Sequence, residues 1–176
     1  MPMKMAEGAS LAPQQRDLIR KETVVNTLAT VVIAALLTWL IFRGRESILV
    51  FDAPPFGLFG ILPGTFNFTL LVTLALTLIT RARVRRGEVA SLDCAQAPPL
   101  IANLPANVVL RALTLALSAV LFLASFTVGV VWLAIRAGLL PPQWTFAGIA
   151  ALFLVHFVVL SLLVTPVVVW RALQDH

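Results

Sequence analysis

Apolar residues fall in four long uninterrupted runs, and nearly all charges gather in the short segments around them. The runs are Thr23–Phe42, Pro63–Thr80, Ala112–Ile135 and Trp144–Trp170, and none contains Asp, Glu, Lys or Arg. A helix rises about 1.5 Å per residue, so about 20 apolar residues cross the roughly 30 Å of hydrocarbon in a bilayer. An unpaired backbone amide in lipid costs several kcal/mol, so such runs must be helices and not open strands. The pattern predicts an all-α fold, an integral membrane four-helix bundle. The first run ends in Trp39-Leu40-Ile41-Phe42-Arg43-Gly44, without the small-residue site of a cleaved signal, and reads as a retained helix.

The segments between the runs divide the chain. Residues 1–12 are polar, small and Pro-containing, and read as a disordered tail. Pro13 suits a first helical turn and Asp17 with Lys21 has favourable i, i+4 spacing, so a first membrane hairpin is expected over 13–80. Its outer loop carries the turn signal Asp52-Ala53-Pro54-Pro55. The segment 53–62, with the glycine-broken apolar stretch from Phe56, is expected to lie in the interface or to be re-entrant. A linker follows at 81–111, interrupted by Pro98-Pro99 and Pro105 and ending at Arg111, which is placed to snorkel to head groups. A second hairpin is expected over 112–176.

The two hairpins share short blocks. Trp39-Leu40-Ile41-Phe42-Arg43 matches Trp132-Leu133-Ala134-Ile135-Arg136, and Leu62-Pro63-Gly64-Thr65-Phe66-Asn67-Phe68 matches Leu140-Pro141-Pro142-Gln143-Trp144-Thr145-Phe146. Eighteen residues separate the blocks in the first hairpin and three in the second. Two tandem hairpins in the same orientation, the first with an insertion, account for both. From Leu115 to Leu173 the second hairpin also resembles a bacterial family of small two-span membrane proteins of unknown function. The likeness rests on Gly138 ahead of Trp144 and on Thr165-Pro166-Val167-Val168-Val169-Trp170-Arg171, and it implies a fold unit only.

Composition agrees: 60% of residues are hydrophobic, 12% are charged, and the formal net charge is +5. The basic residues sit at span ends, where they orient helices and meet anionic lipid, and no basic face interleaved with aromatics points to nucleic acid. Ten of them (Lys4, Arg16, Arg20, Lys21, Arg81, Arg83, Arg85, Arg86, Arg111 and Arg171) fall on one side and three (Arg43, Arg45 and Arg136) on the other. Positively charged loops stay inside, so Arg81, Arg83, Arg85 and Arg86 set a topology with both termini cytoplasmic, in the cell inner membrane. The lone Cys94 excludes an internal disulfide and reads as a free thiol in the linker.

Few groups within the runs bear chemistry. His156 is the ionisable side chain near a span's midpoint, where it could pass protons, ligate haem or bind a metal. Each role needs partners; the other histidine is His176 in the tail, and no run holds a carboxylate. A neutral imidazole bonded to a threonine or a carbonyl of another helix satisfies the same atoms. Thr65, Thr69, Thr73 and Thr77 recur every four residues and share a helix face. With Asn67 they are candidates for a polar path; alternatively each hydroxyl bonds its i−4 carbonyl and lets a neighbouring helix approach. Ser118, Ser125 and Gly129 form a candidate helix interface, as does the Ala147/Ala151 pair. Asn26 is expected to reach water, Pro166 to kink or fray the fourth helix, and Glu46 and Asp52, with Arg43 and Arg45 nearby, to be solvated and partly paired in the outer loop.

No catalytic, cofactor-binding or metal-binding residue is assigned, so no enzyme activity and no cofactor are expected. The expected partners are the lipid bilayer and a second copy or another membrane protein. The favoured role is a structural or interaction subunit; the alternative is a small channel or transporter acting as an oligomer.

Overall fold

The computed structural model describes residues 11–51, 57–92 and 98–175. The expectations for Asp52, Cys94 and His176, and for most of the tail, fall outside them. Helix α1 is Pro13–Phe42, α2 is Ile61–Arg85, and a short α3 spans Pro99–Ala102. Helices α4 (Val108–Ala119) and α5 (Ser125–Arg136) are joined by a π-helical turn at Val120–Ala124, and α6 is Phe146–Ala172. Two-residue strands, β1 (Ile48–Leu49) and β2 (Gln143–Trp144), complete the order. The all-α four-helix architecture is as the hydropathy pattern predicts. Four helical segments, Pro13–Phe42, Leu58–Arg85, Val108–Arg136 and Phe146–Ala172, are long and apolar enough to cross a membrane.

Local chemistry explains where these helices begin and end. Pro13 occupies the first turn of α1. Asn107 caps α4 by accepting from the amides of Val109 and Leu110, and Thr145 caps α6 by accepting from Gly148. Beyond α1, α2 and α5 the chain turns at Gly44, Gly87 and Gly138, all at positive φ, a conformation a side chain would strain. Pro166 neither frays nor ends α6, which continues to Ala172.

The helices alternate in direction, so the chain has a basic end, where α1 and α4 begin and α2 and α6 finish, and an opposite loop end. Helix α6 packs against α1 and α2, and α2 also packs against α4. The principal packing therefore runs between the two sequence hairpins. In the first pair of matched blocks, Arg43 lies 5.2 Å over the Trp39 ring and Arg136 5.5 Å over Trp132. The second pair diverges: Leu62–Phe68 lies in the opening turns of α2, whereas Leu140–Phe146 forms loop, β2 and the start of α6.

Polarity is inverted relative to a water-soluble bundle. The inward stripe of α1 runs Leu18, Glu22, Asn26, Thr30, Ala34, Thr38, Phe42, with Thr30 and Thr38 each 2% exposed. Its outward face carries Val25, Leu28, Val32, Ile33, Leu36 and Leu37, all more than half exposed. Helix α2 repeats the arrangement, burying Thr65, Thr69, Thr73 and Thr77 while Leu71 and Leu78 face out.

Loops pack against both ends. At the loop end β1 pairs antiparallel with β2, Ile48 opposite Trp144. Val50 N–H then donates to the Pro142 carbonyl (3.1 Å). Beneath this cover Phe42, Ile48, Val50, Leu58, Ile61, Ala124, Val131, Ile149 and Phe153 form one apolar cluster. The described part of the 53–62 segment is thus folded onto the bundle, with Leu58 fully buried. At the basic end Gln15 donates to the carbonyls of Ala90 and Ser91, and Leu92 N–H donates to Leu173 O (2.9 Å). The linker narrows as well, since α2 runs on to Arg85 and α4 starts at Val108.

Candidate functional site

Two polar centres stand out, one inside the bundle and one at its basic end. The first is His156. It lies in the middle of α6, 4% exposed, with both ring nitrogens engaged. Nε2 is 2.8 Å from Thr65 Oγ1 on α2, and Nδ1 is 3.0 Å from Thr127 Oγ1 on α5. The Thr127 hydroxyl donates its one hydrogen to the Leu123 carbonyl (2.9 Å) in the π-helical turn. Its oxygen can therefore only accept from His156, which assigns the ring hydrogen to Nδ1. In the neutral ring Nε2 then carries a lone pair, to which Thr65 donates. One neutral imidazole ties three helices together with no unsatisfied atom.

The threonine strip divides at that point. Thr69, Thr73 and Thr77 are fully buried, and their hydroxyls have no hydrogen-bond partner. The expectation that each bonds its i−4 carbonyl fails for these three. It holds elsewhere: Thr23 to Ile19, Thr30 to Asn26, Thr38 to Ala34, Thr114 to Leu110 and Thr127 to Leu123. Asn67 is exposed on the outer face of α2 and does not join the strip. Its place is only two residues from Thr65, but that is about 200° around a helix.

Nearer the basic end, Asn26 Nδ2 donates to Ser161 Oγ (2.9 Å) and Thr165 Oγ1 (2.7 Å), and Thr27 meets Ser161 at 3.1 Å. Asn26, expected to reach water, is half-buried, and its amide joins α1 to α6. Gly64 completes the close packing of α2 on α6, since a Cβ there would stand 2.9 Å from Phe157 Cζ.

The second centre gathers around Asp175, which is nearly buried at the chain's end. Arg111 approaches its carboxylate at 2.8 Å, Arg81 at 2.9 Å and Arg171 at 3.1 Å. Arg111 is fully buried and also donates to the carbonyls of Pro105 and Ala106, so it does not snorkel to the surface as expected. The carbonyls of the loop before α4 and the carboxylate replace water around it. Arg171 donates to the Leu104 carbonyl. Of the four arginines at the end of α2, Arg81 serves Asp175, Arg83 pairs with Glu22 of α1, and Arg86 lies 3.7 Å from Glu88. Arg85 is exposed and has no partner among the described residues.

The small residues of the third and fourth apolar helices point elsewhere. Ser125 is exposed and bonds the Val120 carbonyl within its own helix, and a Cβ on Gly129 would meet no atom within 4 Å. Ser118 is half-buried, whereas Ala147 and Ala151 are exposed. Inside the chain, the packed face of α4–α5 is made instead by Ala112, Ala116, Ala124 and Val131. Among the described residues, no group of three His, Cys, Asp or Glu side chains is placed to hold a metal ion.

Sequence reading missed Thr127 and Asp175. Thr127 lies seven residues before Ala134 in a run of small and apolar residues, with no spacing cue linking it to His156. Asp175 had one available signal, its i, i+4 relation to Arg171. No family model matches this chain, and no curated protein or solved structure is similar to it.

Proposed function

We propose that this chain is a multi-pass protein of the cell inner membrane that catalyses no reaction and acts as a structural or interaction subunit. The observation that carries the reading is the inverted polarity of α1 and α2, whose outward faces are mostly leucine, isoleucine and valine while most of their threonines and Asn26 turn inward. Such a surface has no stable interface with water and matches hydrocarbon. Between helices in lipid, hydrogen bonds and close approach of small residues replace the hydrophobic drive. Asn26 with Ser161 and Thr165, and His156 with Thr65 and Thr127, do this here. A histidine held at both nitrogens by helices of its own chain is committed to architecture. In this reading the basic end faces the cytoplasm, carrying both termini.

Two measurements test it. Membranes washed at alkaline pH should retain the protein, and a membrane-impermeant maleimide should reach Cys94 only after the cells are opened. Release by the wash refutes the membrane assignment, and labelling of intact cells refutes the orientation. Extraction in mild detergent should bring a second membrane protein or a further copy with the chain.

A second reading, a small channel or transporter, draws on the orphan hydroxyls of Thr69, Thr73 and Thr77. They stand one helical turn apart in line with Thr65 and His156, as members of a water or proton file would. Proteoliposomes decide between the two: proton or solute flux that falls in Thr73→Val or His156→Phe selects the file, and its absence selects the subunit.

A further inference from the structure

The Asp175 cluster is electrically unbalanced. Among the described residues, Arg81, Arg111 and Arg171 surround one carboxylate, so positive charge outnumbers negative in a largely buried cluster. Side-chain exposure there is 26% for Arg81, 10% for Arg171, none for Arg111 and 5% for Asp175. Buried charge of one sign is costly unless an opposite charge reaches it.

A cavity of about 970 Å³ opens beside this cluster. Arg81, Arg85, Arg171, Gln14, Gln174 and Asp175 are among the residues that line it. Its size is that of a small-ligand cleft, typically about 300–1,000 Å³. Two donors at this place have no acceptor among the described residues. Gln174, 7% exposed, has an unpartnered Nε2, and Arg111, directly behind Asp175, has an unpartnered buried Nη1. Arg85 adds a further guanidinium without a partner among the described residues. Among the described residues that line the cavity, the one carboxylate, Asp175, is already shared among three arginines.

We propose that this cavity binds an anionic phosphate group, held by Arg81, Arg85 and Arg171 with the Gln174 amide as a neutral donor. Guanidinium groups match phosphate oxygens in charge and in paired geometry. The cavity lies where α1 begins and α2 and α6 finish, the level at which lipid head groups would sit. The phosphate therefore has two sources, an anionic phospholipid or a free phosphate from solution. The site itself follows from its charges; only the lipid source rests on the membrane reading above.

The test uses the full-length protein in a non-ionic detergent, titrated separately with dioctanoyl phosphatidylglycerol, dioctanoyl phosphatidylcholine, inorganic phosphate and chloride, and followed by thermal unfolding and native mass spectrometry. Phosphatidylglycerol binding without a phosphate response identifies a lipid site, and a response to inorganic phosphate above chloride identifies a solute site; either supports the proposal. Arg85→Gln, at an exposed side chain with no hydrogen bond or ion pair among the described residues, should weaken binding about tenfold or more, as expected for one charged hydrogen bond. Gln174→Leu should weaken it severalfold while leaving the unliganded protein as stable as before. Arg86→Gln, a neighbouring arginine outside the cavity lining, should leave binding unchanged. The proposal is overturned if neither phosphate compound binds above its control, or if Arg86→Gln weakens binding as much as Arg85→Gln, the mark of a diffuse surface charge.

Discussion

The same substitution at two turns of one helix should have opposite signs. Thr65 and Thr73 are both fully buried on α2, and Val replaces Thr with almost no change of shape. At position 65 the change removes the 2.8 Å bond to His156 Nε2 and leaves a lone pair facing carbon. A buried group stranded in this way costs about 1–3 kcal/mol in soluble proteins. Interhelical bonds in membranes average about 0.6 kcal/mol and reach about 1.7. Thr65→Val should therefore lose about 1 kcal/mol, roughly a fivefold fall in the folded-to-unfolded ratio. At position 73 the hydroxyl already lacks a partner, so the valine methyl removes a penalty. Thr73→Val should gain up to about 1 kcal/mol on the same grounds. Equilibrium unfolding of the two variants in mixed micelles, by titration with a denaturing detergent and read by circular dichroism, separates them. Should Thr73→Val lose as much stability as Thr65→Val, the hydroxyl has a bonding partner, and the weight of the case passes to the polar file.

Three further outcomes follow from the contacts. Asp175→Asn strips the shared carboxylate from three arginines, one of them fully buried, and should destabilise by about 3 kcal/mol or more, measured by the same titration. Asn26→Leu breaks the bonds to Ser161 and Thr165 and should cost about 1 kcal/mol, whereas Leu28→Ala on the outward face should change stability by less than about half that. Gly64→Ala drives a methyl into the Phe157 ring and should cost roughly 1–3 kcal/mol, largely recovered in the double variant with Phe157→Leu, which makes room for it.

Much of this molecule is legible before folding because lipid-length helices are encoded locally. A charge-free run of leucine, valine and alanine needs no distant partner to be a helix, so the four apolar helices and their short connections emerge from hydropathy alone. Cap residues such as Thr145 sharpen the boundaries by chemistry that also acts within a few positions. Polar residues behave otherwise. Asn26 and Arg111 both sit near predicted boundaries, where exposure to water or head groups was the natural expectation. Each instead meets partners far along the chain, Thr165 for Asn26 and Asp175 for Arg111. Thr69 and Thr65 look identical in sequence, yet only Thr65 faces an imidazole.

Helix number and helical class, and the places where charge is excluded, were thus determined by the order of residues, since each depends on near neighbours and on backbone hydrogen bonds closed within one segment. The tertiary structure alone decided that α6 would pack on α1 and α2, that β1 would meet β2 over the loop end, and that three arginines would share one carboxylate. Those outcomes depend on which side chains face each other across helices distant in the chain, and periodicity places a residue on a face without naming what that face will touch.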